Sequence, residues 1–316
     1  MNLTSLLSTV RQGPKLALDR INEGGSALIR KYGGTRTGTI ALLLPALLIV
    51  VALLVIPALI LIRYSFLPFV DGQIGSGVTL ANYERITNIS LYSRVTFRSI
   101  RVSVAVTLLT VLIGFPLAYA AVRTGGLLGR IIVLSTFAPL TIDLVIRSFG
   151  WFVLLDDNGP IRGGLDSTLF FFGEPPSLIG NEIGMIIGLT HVMLPFMVFP
   201  IVSVLHTIPP SLEEAARDLG ANRLNSFRLV VLPLALPGLV AGMLMVFLLT
   251  MAAYVTPAIL GGTAEVLPTL LTDLITTSRN WPFAGALSMI LLVIAIAVIA
   301  GYHRVRQYVD PGVRVQ

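Results

Sequence analysis

Few residues in this chain could do chemistry, and those that could stand far apart. Asp143, Arg147 and Trp151 recur every four residues, the spacing that shares one face of a helix. A carboxylate there could meet an ammonium, and an indole could stack over a cation. The same residues also fit packing roles, with Asp143 and Arg147 as an internal ion pair and Trp151 as an anchor near an interface. No nucleophile and base stand together. The chain has no cysteine and three scattered histidines, so thiol chemistry and Cys-based metal sites are excluded and no metal centre is expected. His191 reads as a packed polar residue. No catalytic residue is expected.

The elements that must position these residues are apolar. Of 316 residues, 55% are hydrophobic and 12% charged, about half the charge of a soluble domain. Six stretches, near 38–62, 99–122, 131–155, 183–205, 229–257 and 284–303, are long enough to cross a hydrocarbon core of about 30 Å as helices. The third, fourth and fifth contain Pro139, Pro195 with Pro200, and Pro233, Pro237 with Pro257, which membrane helices tolerate. Gly238 and Gly242 form a Gly-x-x-x-Gly step in the fifth, a pattern for close helix packing, within the chain or against a second one. Tyr254 and Pro257, with Gly261-Gly262 behind them, mark where that span should break. With Asp156 and Asp157 they read as an outer gate, or as a plain helix exit. This is an all-α integral membrane protein with six transmembrane helices.

Lysine and arginine set the orientation. With the N-terminus inside, the inner side holds Arg11, Lys15, Arg20, Arg30, Lys31, Arg36, Arg123, Arg130, Arg217, Arg223, Arg228, Arg304, Arg306 and Arg314. The outer side holds only Arg63, Arg85, Arg94, Arg98, Arg162 and Arg279. Both termini are therefore expected in the cytoplasm, and the net charge of +6 needs no nucleic-acid partner. The outer acids, among them Asp71, Glu84, Asp166, Glu174, Glu182, Glu265 and Asp273, outnumber the outer bases. That face is either merely poor in lysine or a vestibule that draws cations. The expected layout is a cytoplasmic arm over 1–37, a first span over 38–62, a periplasmic loop over 63–98, a core over 99–303 and a cytoplasmic tail over 304–316. The arm is too long and polar for a signal peptide, and its apolar residues suit a short helix lying on the membrane.

One polar segment on the inner side is built differently. Pro209-Pro210 stops the fourth span, and Ser211 with Glu214 reads as a capping box. Glu213 and Glu214 suit the positive end of the helix dipole, and Gly220 can turn left-handed after the last turn. Asn222 can cap the next helix. A helix of about two turns is marginal alone and needs a surface to pack on. Ala215 and Ala216 leave room for close approach, and Glu214, Arg217 and Asp218 offer charges around them.

The segment reads Glu214-Ala215-Ala216, three residues, Gly220, nine residues, Val230, one residue, Leu232-Pro233. It resembles the signature of permease subunits of ABC importers, with valine where isoleucine is usual. The resemblance implies a type I importer permease fold and a coupling helix over 210–220, its contacts made by Glu213, Glu214, Ala215, Ala216, Arg217, Asp218 and Gly220. It also implies a separate ATPase dimer that holds ATP and Mg, a second and non-identical permease, a periplasmic solute-binding protein and a place in the bacterial inner membrane. The chain has no phosphate-binding Gly-x-x-x-x-Gly-Lys-Ser/Thr loop of its own. Gly114-Phe115-Pro116-Leu117-Ala118-Tyr119, Leu144–Trp151 running into Leu154–Gly159, His191–Met197 and Tyr254–Gly262 resemble the spermidine/putrescine branch, which implies a small amine, opine or amino-acid derivative as solute. Asp143, and Met251-Ala252-Ala253 before Tyr254, depart from that branch's pattern. On this reading Asp143, Arg147, Trp151 and Tyr254 are the substrate-path candidates. An ion-gradient-driven secondary transporter is the alternative, but it leaves the signature unexplained and needs inverted repeats that are not evident.

Overall fold

The computed structural model describes residues 36–169 and 177–309; most of the arm, Glu174 and the last residues of the tail lie outside them. The chain divides into two units, Met1–Ile62 and Arg63–Gln316. The first contains nearly all of α1 (Arg36–Ser65), a helix with no polar face whose Leu43–Ser65 stretch has a mean hydropathy of 3.1. A helix apolar on every side suits lipid or a buried position.

The second unit opens with a hairpin that the all-α expectation omits, β1 (Phe69–Val70) against β2 (Gln73–Ile74). Asp71 and Gly72 turn it with φ of 51° and 77°, which the Asp-Gly pair favours. Then follow α2 (Ala81–Asn88), α3 (Ser90–Thr124), α4 (Gly126–Phe137), α5 (Leu144–Leu155), α6 (Pro160–Leu169) and α7 (Glu182–Leu205). After the short α8 (Ser211–Asp218) come α9 (Arg223–Ser226), a π-helical turn (Phe227–Val231) and α10 (Leu232–Met251), which together form one apolar span. The chain ends in α11 (Val255–Leu260), α12 (Leu267–Thr276) and α13 (Trp281–Val309).

Three helices, α3, α7 and α10, pack together at the centre. The apolar window of α7 is 56% buried, against 39% for α3 and 28% for α10 and α13, so α7 is the pillar. Its Met185, Leu189, Met197 and Ile201 meet Val102, Val106 and Ala118 of α3 and Ala235 and Val246 of α10. Gly238 and Gly242 face α7: a Cβ on Gly238 would lie 2.7 Å from the Pro200 carbonyl, and one on Gly242 2.8 Å from Met197 Sδ. The Gly-x-x-x-Gly step thus serves packing within the chain. A second cluster joins Tyr92 and Val95 to Leu267, Leu270, Phe283 and Leu287.

The third expected span is not one helix. Gly126–Thr141 and Leu144–Gly164 meet at 105°. Pro139, which has no N–H to give, lies in a 3-10 turn over Ala138–Thr141, and Ile142 after it is extended (φ −93°, ψ 135°). The fifth span ends at Met251, before Tyr254, rather than at Pro257. α3 begins at Ser90, well before residue 99.

Candidate functional site

The residues of interest fall into three groups, around α8, at the break of the third span and around Tyr254. At one end of the bundle stands α8. Pro210 (φ −58°, ψ −29°), not Ser211, holds its N-cap position, and no side chain caps it. The helix starts a residue early because Pro209 and Pro210 supply the first acceptors, for Leu212, Glu213 and Glu214. The expected capping box therefore does not form. The other end of α8 is closed by backbone: Gly220 has φ +92°, its N–H reaches the Arg217 carbonyl at 2.8 Å, and the Ala221 N–H reaches that of Ala216 at 3.0 Å. This is a Schellman motif, and glycine is the residue that enters it without strain. Asn222 Oδ1 caps α9 through the Asn225 N–H.

α8 has two unlike faces. Outward it carries Leu212, Ala215, Ala216 and Leu219, a helical stripe in which Leu219 is 90% exposed and Leu212 43%. Glu214, Arg217 and Asp218 are exposed beside it. Of this stripe only Ala216 is partly buried, so a partner of α8 would meet apolar side chains first. Inward it carries Glu213, which is only 5% exposed. Tyr119 Oη donates to Glu213 Oε2 at 2.8 Å, Arg123 Nε pairs with Oε1 at 2.6 Å, and Arg217, one turn along α8, places Nη2 3.7 Å from Oε2. Arg123 Nη1 also donates to the Ile208 carbonyl, and Ser226 Oγ to that of Glu213. Phe227 packs edge-on against Phe115 and Tyr119. Sequence reasoning treated Glu213 as one more exposed contact and Arg123 as one more inner-side base. The available signal was Tyr119 and Arg123 one turn apart at a helix end, facing two adjacent glutamates where the dipole needs one.

The bend of the third span holds most of the other candidates, with contacts other than the expected ones. Asp143 is the N-cap of α5: its Oδ1 accepts from the Val145 and Ile146 N–H groups at 2.8 and 3.3 Å. Arg147 Nη1 donates to the Pro139 carbonyl at 2.8 Å. The Arg147 N–H donates to the Asp143 carbonyl at 3.0 Å as the first turn of α5 closes, but among the described residues no hydrogen bond or ion pair joins their two side chains. Both instead hold the bend between α4 and α5 in shape. Trp151 Nε1 donates to His191 Nδ1 at 3.1 Å, fixing α5 to α7. Asp156 Oδ1 accepts from the Asn158 N–H, and Asp157 lies 3.8 Å from Arg162; both belong to the α5–α6 turn. Asp143→Asn should keep the cap and leave uptake and apparent affinity unchanged, whereas Asp143→Ala should cost about 1 kcal/mol of stability. Uptake assays and thermal unfolding of the two variants check this.

Tyr254 and Pro257 meet different neighbours. They line a cleft of ≈ 270 Å³ with Glu265, Asp273 and the threonines Thr269, Thr272 and Thr276. An aromatic face, two carboxylates and several hydroxyls suit a cation with N–H donors. The sequence showed these acids only as loop charges, because α12 is what brings Asp273 alongside Tyr254.

Comparison with known proteins places this geometry. Residues 110–315 match the model of the binding-protein-dependent transport system inner membrane component. A spermidine/putrescine transport system permease protein of Haemophilus influenzae is 32% identical over 76% of this chain and 83% of its own length. An inner membrane ABC transporter permease protein of Escherichia coli is 29% identical over 72% and 76%. Among solved structures, a bacterial alginate ABC transporter shares the fold with a TM-score of 0.65 at 15% identity, over 89% of this chain and 97% of that one. The MetNI methionine ABC transporter does so at 0.54 and 19%, over 69% and 95%. The family works with a binding protein and a separate ATPase, and it offers no support for a secondary transporter. With the fold of a type I importer permease and a match over most of its length, this chain belongs to the binding-protein-dependent inner membrane components and is the multi-pass permease subunit of an ABC importer.

Proposed function

We propose that this permease carries a small cationic amine, of the polyamine kind, inward across the membrane. The cleft of Tyr254, Glu265 and Asp273 is the observation that carries this reading, and the spermidine/putrescine systems named for the relatives agree with it. Both termini and α8 face the cytoplasm, as the lysine and arginine distribution favours. The outer stripe of α8, with Glu214, Arg217 and Asp218, docks in the ATPase, and the cleft faces the solute-binding protein. A non-identical permease completes the pathway. ATP closes the ATPase dimer, α8 is pushed, the pathway opens outward, and hydrolysis resets it. No bond in the solute is made or broken, so the chain's part is binding and motion.

Two carboxylates that each make a charge-assisted contact should each contribute about tenfold in affinity. Glu265→Gln and Asp273→Asn should therefore each raise the amine concentration for half-maximal uptake by about that factor. Uptake of labelled putrescine and spermidine into proteoliposomes containing the whole transporter is the measurement. Unchanged half-saturation in both variants would place the solute elsewhere.

A further inference from the structure

α3 is hydrogen-bonded at both ends to the two places where function is proposed. At the α8 end, Tyr119 and Arg123 hold the buried Glu213. At the cleft end, Ser99 Oγ accepts from the Leu267 N–H at 2.7 Å, and Arg98 Nη1 donates to the Glu265 carbonyl at 3.0 Å. Glu265 lines the cleft, and Leu267 opens the helix that supplies its threonines and Asp273. Arg98 and Arg101 also pair with Glu182 at the start of α7.

Between these joints α3 is a single helix, and Arg98 to Arg123 spans about 37 Å at 1.5 Å per residue. Its buried hydroxyls bond inward: Ser103 to the Ser99 carbonyl, Thr107 to that of Ser103 and Thr110 to that of Thr107. The packed face therefore satisfies these groups mostly within α3, with Ser103 Oγ also reaching Met251 Sδ of α10 at 3.5 Å. Pro116 interrupts the backbone ladder one turn before Tyr119, where the Phe115–Phe227 contact braces it.

The joint at Glu213 is stiff for an electrostatic reason. Separating the buried Glu213 carboxylate from the Arg123 guanidinium leaves that guanidinium in a poor solvent for it and the carboxylate with only the half-exposed Arg217 of α8, 3.7 Å away. α8 therefore cannot move without either carrying α3 along or breaking the buried part of this network, the Arg123 pair and the Tyr119 hydrogen bond. We propose that α3 is the rod by which motion of α8 reaches the cleft, with Glu213, Arg123 and Tyr119 as the positioning residues of its joint. The competing route is covalent, from α8 through α9 and the π-helical turn into α10. The proposal rests on the cleft being the solute site only for its purpose; the motion itself is measured without a solute.

The absence of native cysteine makes a single reporter clean. Thr276→Cys places a thiol in the cleft, and its rate of maleimide modification is followed in the intact reconstituted transporter, with and without a non-hydrolysable ATP analogue. With the native joint the nucleotide should change that rate about fivefold or more, the lower range of allosteric coupling. Glu213→Gln should bring the change below about twofold while ATPase association persists, because the apolar stripe of α8 is untouched and the half-exposed Arg217 it frees still faces solvent. Glu213→Asp should restore part of the response. Tyr119→Phe, which removes one hydrogen bond and leaves the ion pair, should give an intermediate value and serves if Glu213→Gln does not fold. A full response in Glu213→Gln, or in Tyr119→Phe where that stands in, would assign the motion to the covalent route. No nucleotide response with the native joint would also overturn the proposal. Failure of putrescine uptake with an intact labelling response would overturn the amine reading alone.

Discussion

Gly238→Leu is expected to remove most folded protein from the membrane. Even a methyl group at this position would sit 2.7 Å from the Pro200 carbonyl and 2.9 Å from Val204 Cγ2. The carbonyl belongs to the backbone of α7 and cannot swing aside as a side-chain tip would. Accommodating leucine means separating α10 from the pillar of the bundle, at a cost of about 3 kcal/mol or more. Gly301 is the control. A Cβ there meets nothing within 4 Å, so Gly301→Ala should be neutral or stabilise α13 by up to about 1 kcal/mol. Yield of monodisperse protein in detergent and its thermal unfolding separate the two cases. Equal behaviour would mean that the α7–α10 contact is not close.

Ala215→Trp should abolish ATPase association and lower uptake by about a hundredfold or more, the loss that follows when a well-packed interface can no longer close. Ala215 is exposed in the middle of the α8 stripe, so the indole points into solvent in the free chain and the fold is preserved. Leu219→Asp tests the same surface by polarity. Leu219 is 90% exposed, and aspartate there desolvates badly only if something covers it. Co-purification with the ATPase and uptake by the whole transporter are the readouts, with thermal unfolding of the permease expected to stay as in the parent.

The physics that acts along the chain was legible; the physics that acts across it was not. Hydropathy marked the spans, the Gly-x-x-x-Gly step marked a close approach, and Gly220 marked the left-handed end of α8, because each depends on neighbours in sequence. Asp143 illustrates the limit. Its spacing to Arg147 is meaningful only if the helix runs through it, and the bend at Pro139 turns it into an N-cap with its carboxylate folded onto its own backbone. Glu213 shows the same limit from the other side. Its partner Tyr119 is 94 positions away, and an acid in a first turn already has a local explanation in the helix dipole. The cleft was missed because Tyr254 sits at the exposed start of α11 while Glu265 and Asp273 lie on a later loop and helix. Similarity to known permeases supplied the family; the chain's own contacts supplied the division of α8 into an exposed face and a buried one.

That division is most directly tested by cross-linking. Ala215→Cys is then the only thiol in the permease, and a short bifunctional thiol-to-amine reagent is applied to the assembled transporter. The expected product is a permease–ATPase adduct, with none from Ser278→Cys, an exposed position at the opposite end of the bundle. An assembled complex that gives no adduct from Ala215→Cys, or gives it equally from Ser278→Cys, would contradict the account.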